Sequence, residues 1–233
     1  MATNIKLTGK IFIKGSIKLK TGLHIGGSNS SMEIGGVDND IVKTGNGLPF
    51  IPGSSLKGKM RSLLARVEGS DDVKKDSKLI KQIFGDPSSK YDREITRLIV
   101  RDCHLNKDEF EKTFGEQGKR NLDFDYSEIK TENVIKRLTG SAEHPRQMER
   151  VPANTIFDMD IVVNIYEGDN KKGILNKIKL AFDLLNMDYI GGSGSRGYGA
   201  VEIKVSEISG KEITNNEISE MKDIDNLKQI FQL

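Results

Sequence analysis

The sequence predicts an antiparallel α+β fold, and three observations carry that expectation. Ile11, Ile13, Ile17 and Leu19 alternate along residues 11–19, with Gly15 in the remaining place on that face, and Phe157, Met159, Ile161, Val163 and Ile165 alternate likewise. Alternation of this kind gives long strands with one buried face. Two segments instead carry apolar residues at helical spacing: Leu56, Met60, Leu63, Leu64 and Val67, then Ile174, Leu175, Ile178, Ala181, Phe182 and Leu185. The resulting order is strand–helix–strand twice, with insertions between. Long alternating strands with few helices favour antiparallel α+β over a doubly wound sheet, and a duplicated or modified ferredoxin-like arrangement fits.

Each element follows in order. The first strand runs into residues 22–36, where Gly22, Gly26, Gly27, Gly35 and Gly36 stand among polar residues and predict an exposed loop. VDNDIVK predicts a short strand and TGNG a tight turn. Ser54 or Ser55 is placed to cap a helix running to about Val67 and ended by Gly69. SKLIKQIFG predicts a second short helix and RLIVRD a strand, with Cys103-His104 at a strand end. Residues 104–150 are polar and show little periodicity, so they predict an insertion or protruding hairpin. The second long strand, the second long helix, the loop GGSGSRGYG and the strand AVEIKV complete the chain's core.

At 233 residues the chain is one large domain or two small units, and its 36% hydrophobic residues with 24 glycines are ordinary for a globular protein. A formal net charge of +2 is not the overall signature of a nucleic-acid binder, so any such site must come from local clustering. The single cysteine, Cys103, excludes an internal disulfide and a cysteine-based zinc knuckle. MATNIKLTGK lacks a secretory apolar region and no run approaches membrane-spanning length, which leads us to expect a cytoplasmic protein without a membrane partner.

The motifs narrow the chemistry. Gly53 to Lys59 nearly matches a P-loop, but Met60 stands where the Mg²⁺-binding hydroxyl should be, and Gly58 and Lys59 fall inside the helix. What remains is a helix start carrying Ser54, Lys57, Lys59 and Arg61, suited to a backbone phosphate and equally consistent with a solvated face. Gly192, Gly194 and Gly197 spell GxGxxG in the reversed context of helix then strand, which argues against a dinucleotide site. The loop still allows close backbone approach to an anion, with Arg196 and Tyr198 offering a charge and a stacking ring. Asp38 and Asp40 lie two apart, with Glu33 nearby; they are loop acids or a partial Mg²⁺ site. His24 stands in the glycine corner beside Gly26 and Gly27, as a sugar or phosphate contact or a structural hydrogen bonder. Residues 130–150 set Lys130, Lys136, Arg137, Arg146 and Arg150 against Glu132, Glu143 and Glu149, with Val134, Ile135, Leu138 and Met148 interspersed. A hairpin of that composition suits a wedge between bases, and also suits a surface insertion.

Taken together, TGLHIGGS, IGGVDND, IPGSSLKGKMR, ENVIKRLTGSAEHPRQMERV and YIGGSGSRGYGAV resemble the backbone subunit of type III-A CRISPR interference complexes, a member of the RAMP superfamily. The resemblance spans nearly the whole chain and implies one RAMP-type domain over 1–233. That domain would hold an RNA-recognition or ferredoxin-like core, inserted lid and thumb-like subdomains, a glycine-rich catalytic loop region at 21–36 and a thumb hairpin within 104–150. It implies copies stacked head to tail along a guide RNA, other subunits of the complex at the ends, and a complementary target RNA cut at regular intervals. It carries the required acid onto the Asp of IGGVD, Asp38, as catalytic residue and ligand of Mg²⁺ or Mn²⁺; Asp40 has no such support.

The same resemblance implies that the RNA supplies its own nucleophile, the 2′-OH beside the scissile phosphate. Displacing one target nucleotide would allow the in-line geometry that stacked A-form RNA disfavours. Asp38 would hold a Mg²⁺-bound water or orient the hydroxyl, and the products would be a 2′,3′-cyclic phosphate and a 5′-OH. Two other classes stay open: a non-catalytic RNA-binding scaffold, and a guide-RNA-processing endoribonuclease, which would normally use a histidine as acid–base.

Overall fold

The computed structural model describes residues 5–27, 39–86, 95–215 and 217–232. Strand β1 (Leu7–Leu19), the pair β3 (Leu98–Val100) and β4 (Cys103–Leu105), β7 (Ile156–Tyr166), β8 (Val201–Thr214), β9 (Glu217–Glu220) and the short β2 (Phe50–Ile51) form one sheet in the order β2-β4-β7-β1-β8-β9, with β3 also on β7. Every pairing in it is antiparallel. Helices α1 (Gly53–Val67) and α4 (Lys171–Asn186) are the two crossovers. Taken alone, β1-α1-β4-β7-α4-β8 is the βαββαβ unit in the spatial order β4-β7-β1-β8, a ferredoxin-like core. The α+β, ferredoxin-like expectation therefore holds.

The core forms because each alternating strand buries one face. Ile11, Ile13 and Ile17 are fully buried, as are Phe157, Ile161 and Val163, and they meet Leu56, Met60 and Leu64 of α1 and Leu175, Ile178 and Leu185 of α4. Burying a side chain of this size stabilises by about 1.5–3 kcal/mol, so this double layer is the main source of stability. Gly15 is required by close approach: a Cβ there would lie 2.1 Å from the Lys204 carbonyl, where the β1–β8 register shifts. A buried bidentate pair ties the strand edge to the α4 entry. Arg97 Nη2 and Nε reach Asp169 at 3.0 and 3.2 Å, while Asp169 also accepts from the Tyr166 N–H at 2.9 Å.

Several local expectations are corrected. Neither Ser54 nor Ser55 caps α1: the N-cap is Pro52, and Gly53 N–H donates to Asp102 Oδ1 at 2.8 Å instead. Val67, placed on the apolar stripe, is 57% exposed because the helix is leaving the core there. Within the described part of VDNDIVK, residues 39–43 make isolated bridges rather than a strand. RLIVRD carries one strand, β3, as expected, and β4 follows it. Helix α2 (Lys78–Phe84) is capped by Ser77 and ended by Gly85, as SKLIKQIFG predicts. Residues 104–150 are more ordered than their polarity implies: β4 ends there, α3 (Lys107–Lys119) follows with a break at Gly115, and β5 (Glu128–Ile135) and β6 (Ala142–Arg150) form a separate two-stranded hairpin. Helix α3 buries mainly Phe110, which explains its weak apolar pattern. A short helix α5 (Ile224–Lys228) closes the chain, and β8 extends past the AVEIKV segment to Thr214. Among the described residues no helix is long and apolar enough to cross a membrane.

Candidate nucleic-acid interface

Four segments distant in sequence meet at one edge of the core. The glycine corner pairs with the start of the post-hairpin segment through Leu23 and Val151, whose main chains exchange bonds of 2.9 and 2.8 Å. The second glycine loop lies against the same corner, with Gly199 N–H on the Gly22 carbonyl and Gly192 N–H on the His24 carbonyl, both 2.9 Å. The two ends of the acidic loop are clamped together by Gly27 N–H to the Asp40 carbonyl (3.2 Å) and Val42 N–H to the Ile25 carbonyl (2.8 Å). The expected catalytic and metal-binding residue Asp38, with Glu33, Gly35 and Gly36, lies outside the described residues. Its neighbour Asn39 is described: its carbonyl accepts the Glu149 N–H at 3.0 Å, beside a bridge to Met148.

Glu149 organises this junction. It is 2% exposed, and its carboxylate accepts from Ile41 N–H (3.1 Å), Lys43 Nζ (2.5 Å) and Ser127 Oγ (2.5 Å). Its carbonyl lies 2.7 Å from His24 Nδ1. A buried carboxylate is tolerated only when its lone pairs are satisfied in this way. In the sequence Glu149 is merely one acid of the hairpin. Strand alternation does not mark it, because Met148 and Glu149 are consecutive and both buried.

The base of the hairpin is latched to the second glycine loop. Glu132 takes Arg146 Nη2 at 3.0 Å and Arg196 Nε at 3.4 Å. Burial works to raise its carboxyl, but the adjacent Tyr198 hydroxyl and these two arginines outweigh burial and hold it below the usual carboxylate range. Tyr198 corrects an expectation. Its ring is 1% exposed, covered by Lys130 Nζ at 4.4 Å and the Arg150 guanidinium at 5.4 Å, so it faces the hairpin and not a base. Burial and then Glu132 push its hydroxyl up to about 12. Arg150 is further tied to Glu128 at 2.7 Å.

The basic helix start adjoins the same loop through one aromatic ring. Lys59 Nζ sits 3.7 Å from the Tyr189 centroid and 3.0 Å from Asp188. On the same ring rests Gly194, where a Cβ would come within 2.1 Å of Cγ. Glycine is needed there for packing on Tyr189. Gly197 takes φ +86° with open space around it, and Gly26 is exposed. Lys57 is half-buried and donates to the Leu98 carbonyl at 2.8 Å; burial, then Arg61, lowers its ammonium pKa. Arg61 departs from expectation. It points to Asp76, with Nη2 at 2.7 Å and Nε at 2.8 Å, and so is held inside the protein. Ser54 is exposed on the first turn of α1, and Arg137 lies at the exposed tip of the hairpin beside Leu138, which is 100% exposed. His24, Arg146, Arg150, Arg196, Tyr198, Gly26, Gly27, Gly192 and Gly194 thus converge, with Lys59 on the flank, while Arg61 and Arg137 lie away from the junction.

The profile of the RAMP superfamily matches residues 16–202. The chain belongs to that superfamily. Its relatives include proteins described as "CRISPR system Cms endoribonuclease Csm3". That of Methanocaldococcus jannaschii is 41% identical over 214 residues, covering 86% of this chain and 81% of the relative. That of Streptococcus thermophilus is 42% identical over 200 residues, covering 82% and 86%. Among solved structures, one of a Csm3–Csm4 subcomplex in the type III-A CRISPR-Cas interference complex matches with TM-score 0.56 and 28% identity over 98% of each chain. Within the RAMP superfamily the chain is a Csm3-type type III-A protein, as the sequence motifs imply.

Proposed function

We propose that the chain is the guide-RNA-binding backbone subunit of an RNA-guided complex, and the endoribonuclease that cuts target RNA at regular intervals within it. The observation that carries this reading is the Asn39–Glu149 hydrogen bond. It places the residue next to Asp38 at the root of a protruding, arginine-bearing hairpin. Copies stacked head to tail on a guide would present one such hairpin and one such acid per copy, and the spacing of cuts would follow. The Csm3–Csm4 neighbour supports further subunits in the assembly.

Among the described residues no three metal-binding side chains converge. The carboxylate of Asp38 nevertheless suits Mg²⁺ or Mn²⁺, since Mg²⁺ takes only one or two protein carboxylates and keeps several waters. Such an ion would offset negative charge building on the reacting phosphate. The hairpin would displace one target nucleotide so that its 2′-OH reaches in-line geometry beside the acidic segment.

The test is the complex assembled on a guide RNA of known sequence, given end-labelled complementary RNA. Evenly spaced products with 2′,3′-cyclic phosphate and 5′-OH ends, lost in EDTA and regained with Mg²⁺ or Mn²⁺, are expected. Tight target binding without cutting would leave the scaffold reading. Cutting of precursor guide RNA alone would favour the processing reading, against which His24 speaks: it is buried and its Nδ1 is engaged by the Glu149 carbonyl.

A further inference from the structure

A turn at the hairpin base holds one aromatic ring outside the core. Phe124 is 42% exposed, and among the described residues no other phenylalanine or tyrosine is exposed. The turn that carries it is firmly fixed. Phe124 N–H donates to the Ser127 carbonyl at 3.0 Å, Ser127 is anchored on buried Glu149, and Tyr126 packs on Phe110 at 5.2 Å between centroids. The ring is thus presented by a rigid scaffold and takes no part in the buried cluster.

Beside it lies a cavity of ≈ 420 Å³ lined by Lys43, Gly47, Asp123, Phe124, Asp125 and Ser127, with Tyr126 at the wall. That volume is in the range of small-ligand sites, roughly 300–1,000 Å³. The Lys43 ammonium stands 5.3 Å from the Phe124 centroid while paired with Glu149. Lys43 belongs to the segment that follows Asp38, so the cavity adjoins that segment as well as the hairpin root.

We propose that this cavity receives the nucleobase that the hairpin displaces from the guide–target duplex, stacked on Phe124. The inference rests on the function proposed above and names a subsite for it. The lining selects a base over other parts of RNA. Asp123 and Asp125 repel a phosphate, yet accept hydrogen bonds from exocyclic amino groups. A ring with an open face takes any base, because every base has a π-face. Sequence tolerance of this kind is what a guide-directed complex needs at positions that pairing does not read.

The experiment uses the complex assembled on guide RNA, with targets that carry an ordinary nucleotide, an abasic nucleotide or 2-aminopurine at the displaced position. Wild type should bind the ordinary target about tenfold more tightly than the abasic one, the worth of one stacked base, and should quench 2-aminopurine. F124A and F124L should bind both targets alike and leave the probe bright, while F124W should restore the preference. All three variants should melt with wild type, because the ring is outside the core. An F124A complex that keeps the wild-type preference and quenching, yet cuts at regular intervals, would overturn the subsite and leave the proposed function standing. F124A protein that fails to assemble on guide RNA, with F124L complexes that assemble and keep the wild-type base preference, would make the ring a protein contact and overturn the subsite as well. A guide complex that binds no target would overturn both readings.

Discussion

The main-chain N–H of Glu149 donates to the carbonyl of Asn39 at 3.0 Å, joining the end of the hairpin to the residue beside Asp38. The groups around that bond are engaged as well. The Glu149 carboxylate fixes Ile41 and Lys43 on one side and Ser127 on the other, and its carbonyl meets His24. Hairpin, glycine corner and acidic loop therefore share one buried polar node, and a movement of any of them is felt by the others.

Asp38→Ala should abolish target cleavage while guide binding and assembly stay as in wild type. The residue is followed by a segment held by main-chain bonds that the substitution does not touch. The check is a cleavage time course beside a native gel of the same preparation. Asp40→Ala should cost far less, and an assembled Asp38→Ala complex cutting at full rate would remove Asp38 from the chemistry.

The buried pair Arg97–Asp169 should matter for stability and not for RNA. Both side chains are 3–4% exposed, and removal of the Asp169 charge breaks a buried bidentate pair. Asp169→Asn should destabilise by about 3–5 kcal/mol, read as a shifted urea midpoint with unchanged slope. A variant within about 0.5 kcal/mol of wild type would show that the pair is neutral in the folded protein.

Much of this architecture is legible in the sequence, because period-two and helical patterns reflect burial directly: β1, β7, α1 and α4 are read to within a few residues at most of their ends. What is not legible has physical causes. Helix α3 has one buried side chain, Phe110, so its periodicity is too sparse to see. The cap of α1 comes from Asp102, which is distant in sequence. For the site, pattern alone names the glycine loops and the basic residues but not their pairing. That Arg61 answers Asp76, that Tyr198 is roofed by Lys130 and Arg150, and that Gly194 makes room for Tyr189 are tertiary facts. Glu149 is the instructive omission: by composition it is one hairpin acid among four, and only burial distinguishes it.

That pairing sorts the basic helix. Lys57→Ala with Lys59→Ala should weaken guide-RNA binding equally across guide sequences. It should also flatten the salt dependence, by a slope of roughly 0.7 for each single-strand phosphate that the protein no longer neutralises. Arg61→Ala should instead lower stability with little change in salt slope, because its guanidinium pairs with Asp76, which is 2% exposed, whereas the partner of Lys59, Asp188, is 25% exposed. Filter binding at several salt concentrations separates the two. An Arg61→Ala slope as shallow as that of the double lysine variant would return Arg61 to the RNA surface.

The hairpin tip should act on target geometry and leave guide binding alone. Val134, Ile135 and Leu138 are 55%, 57% and 100% exposed, and nothing in the core accounts for three apolar side chains at the end of an isolated two-stranded ribbon. Their exposure suits insertion between stacked bases, with Arg137 on a phosphate. The latch of Glu132 to Arg146 and Arg196 lies lower on the same ribbon and fixes its direction. Replacing residues 136–141 by a Gly-Ser turn leaves Glu132, Arg146, Arg150 and Glu149 in place, so folding and guide affinity should stay near wild type. Target cleavage should fall at least about tenfold or lose its regular spacing, because a ribbon without Arg137 and Leu138 no longer enforces in-line geometry at fixed positions. A denaturing gel of end-labelled target reads the outcome. An unchanged ladder from the shortened protein would place the wedge elsewhere, with α3 and the turn that follows it, residues 107–127, the next segment to shorten.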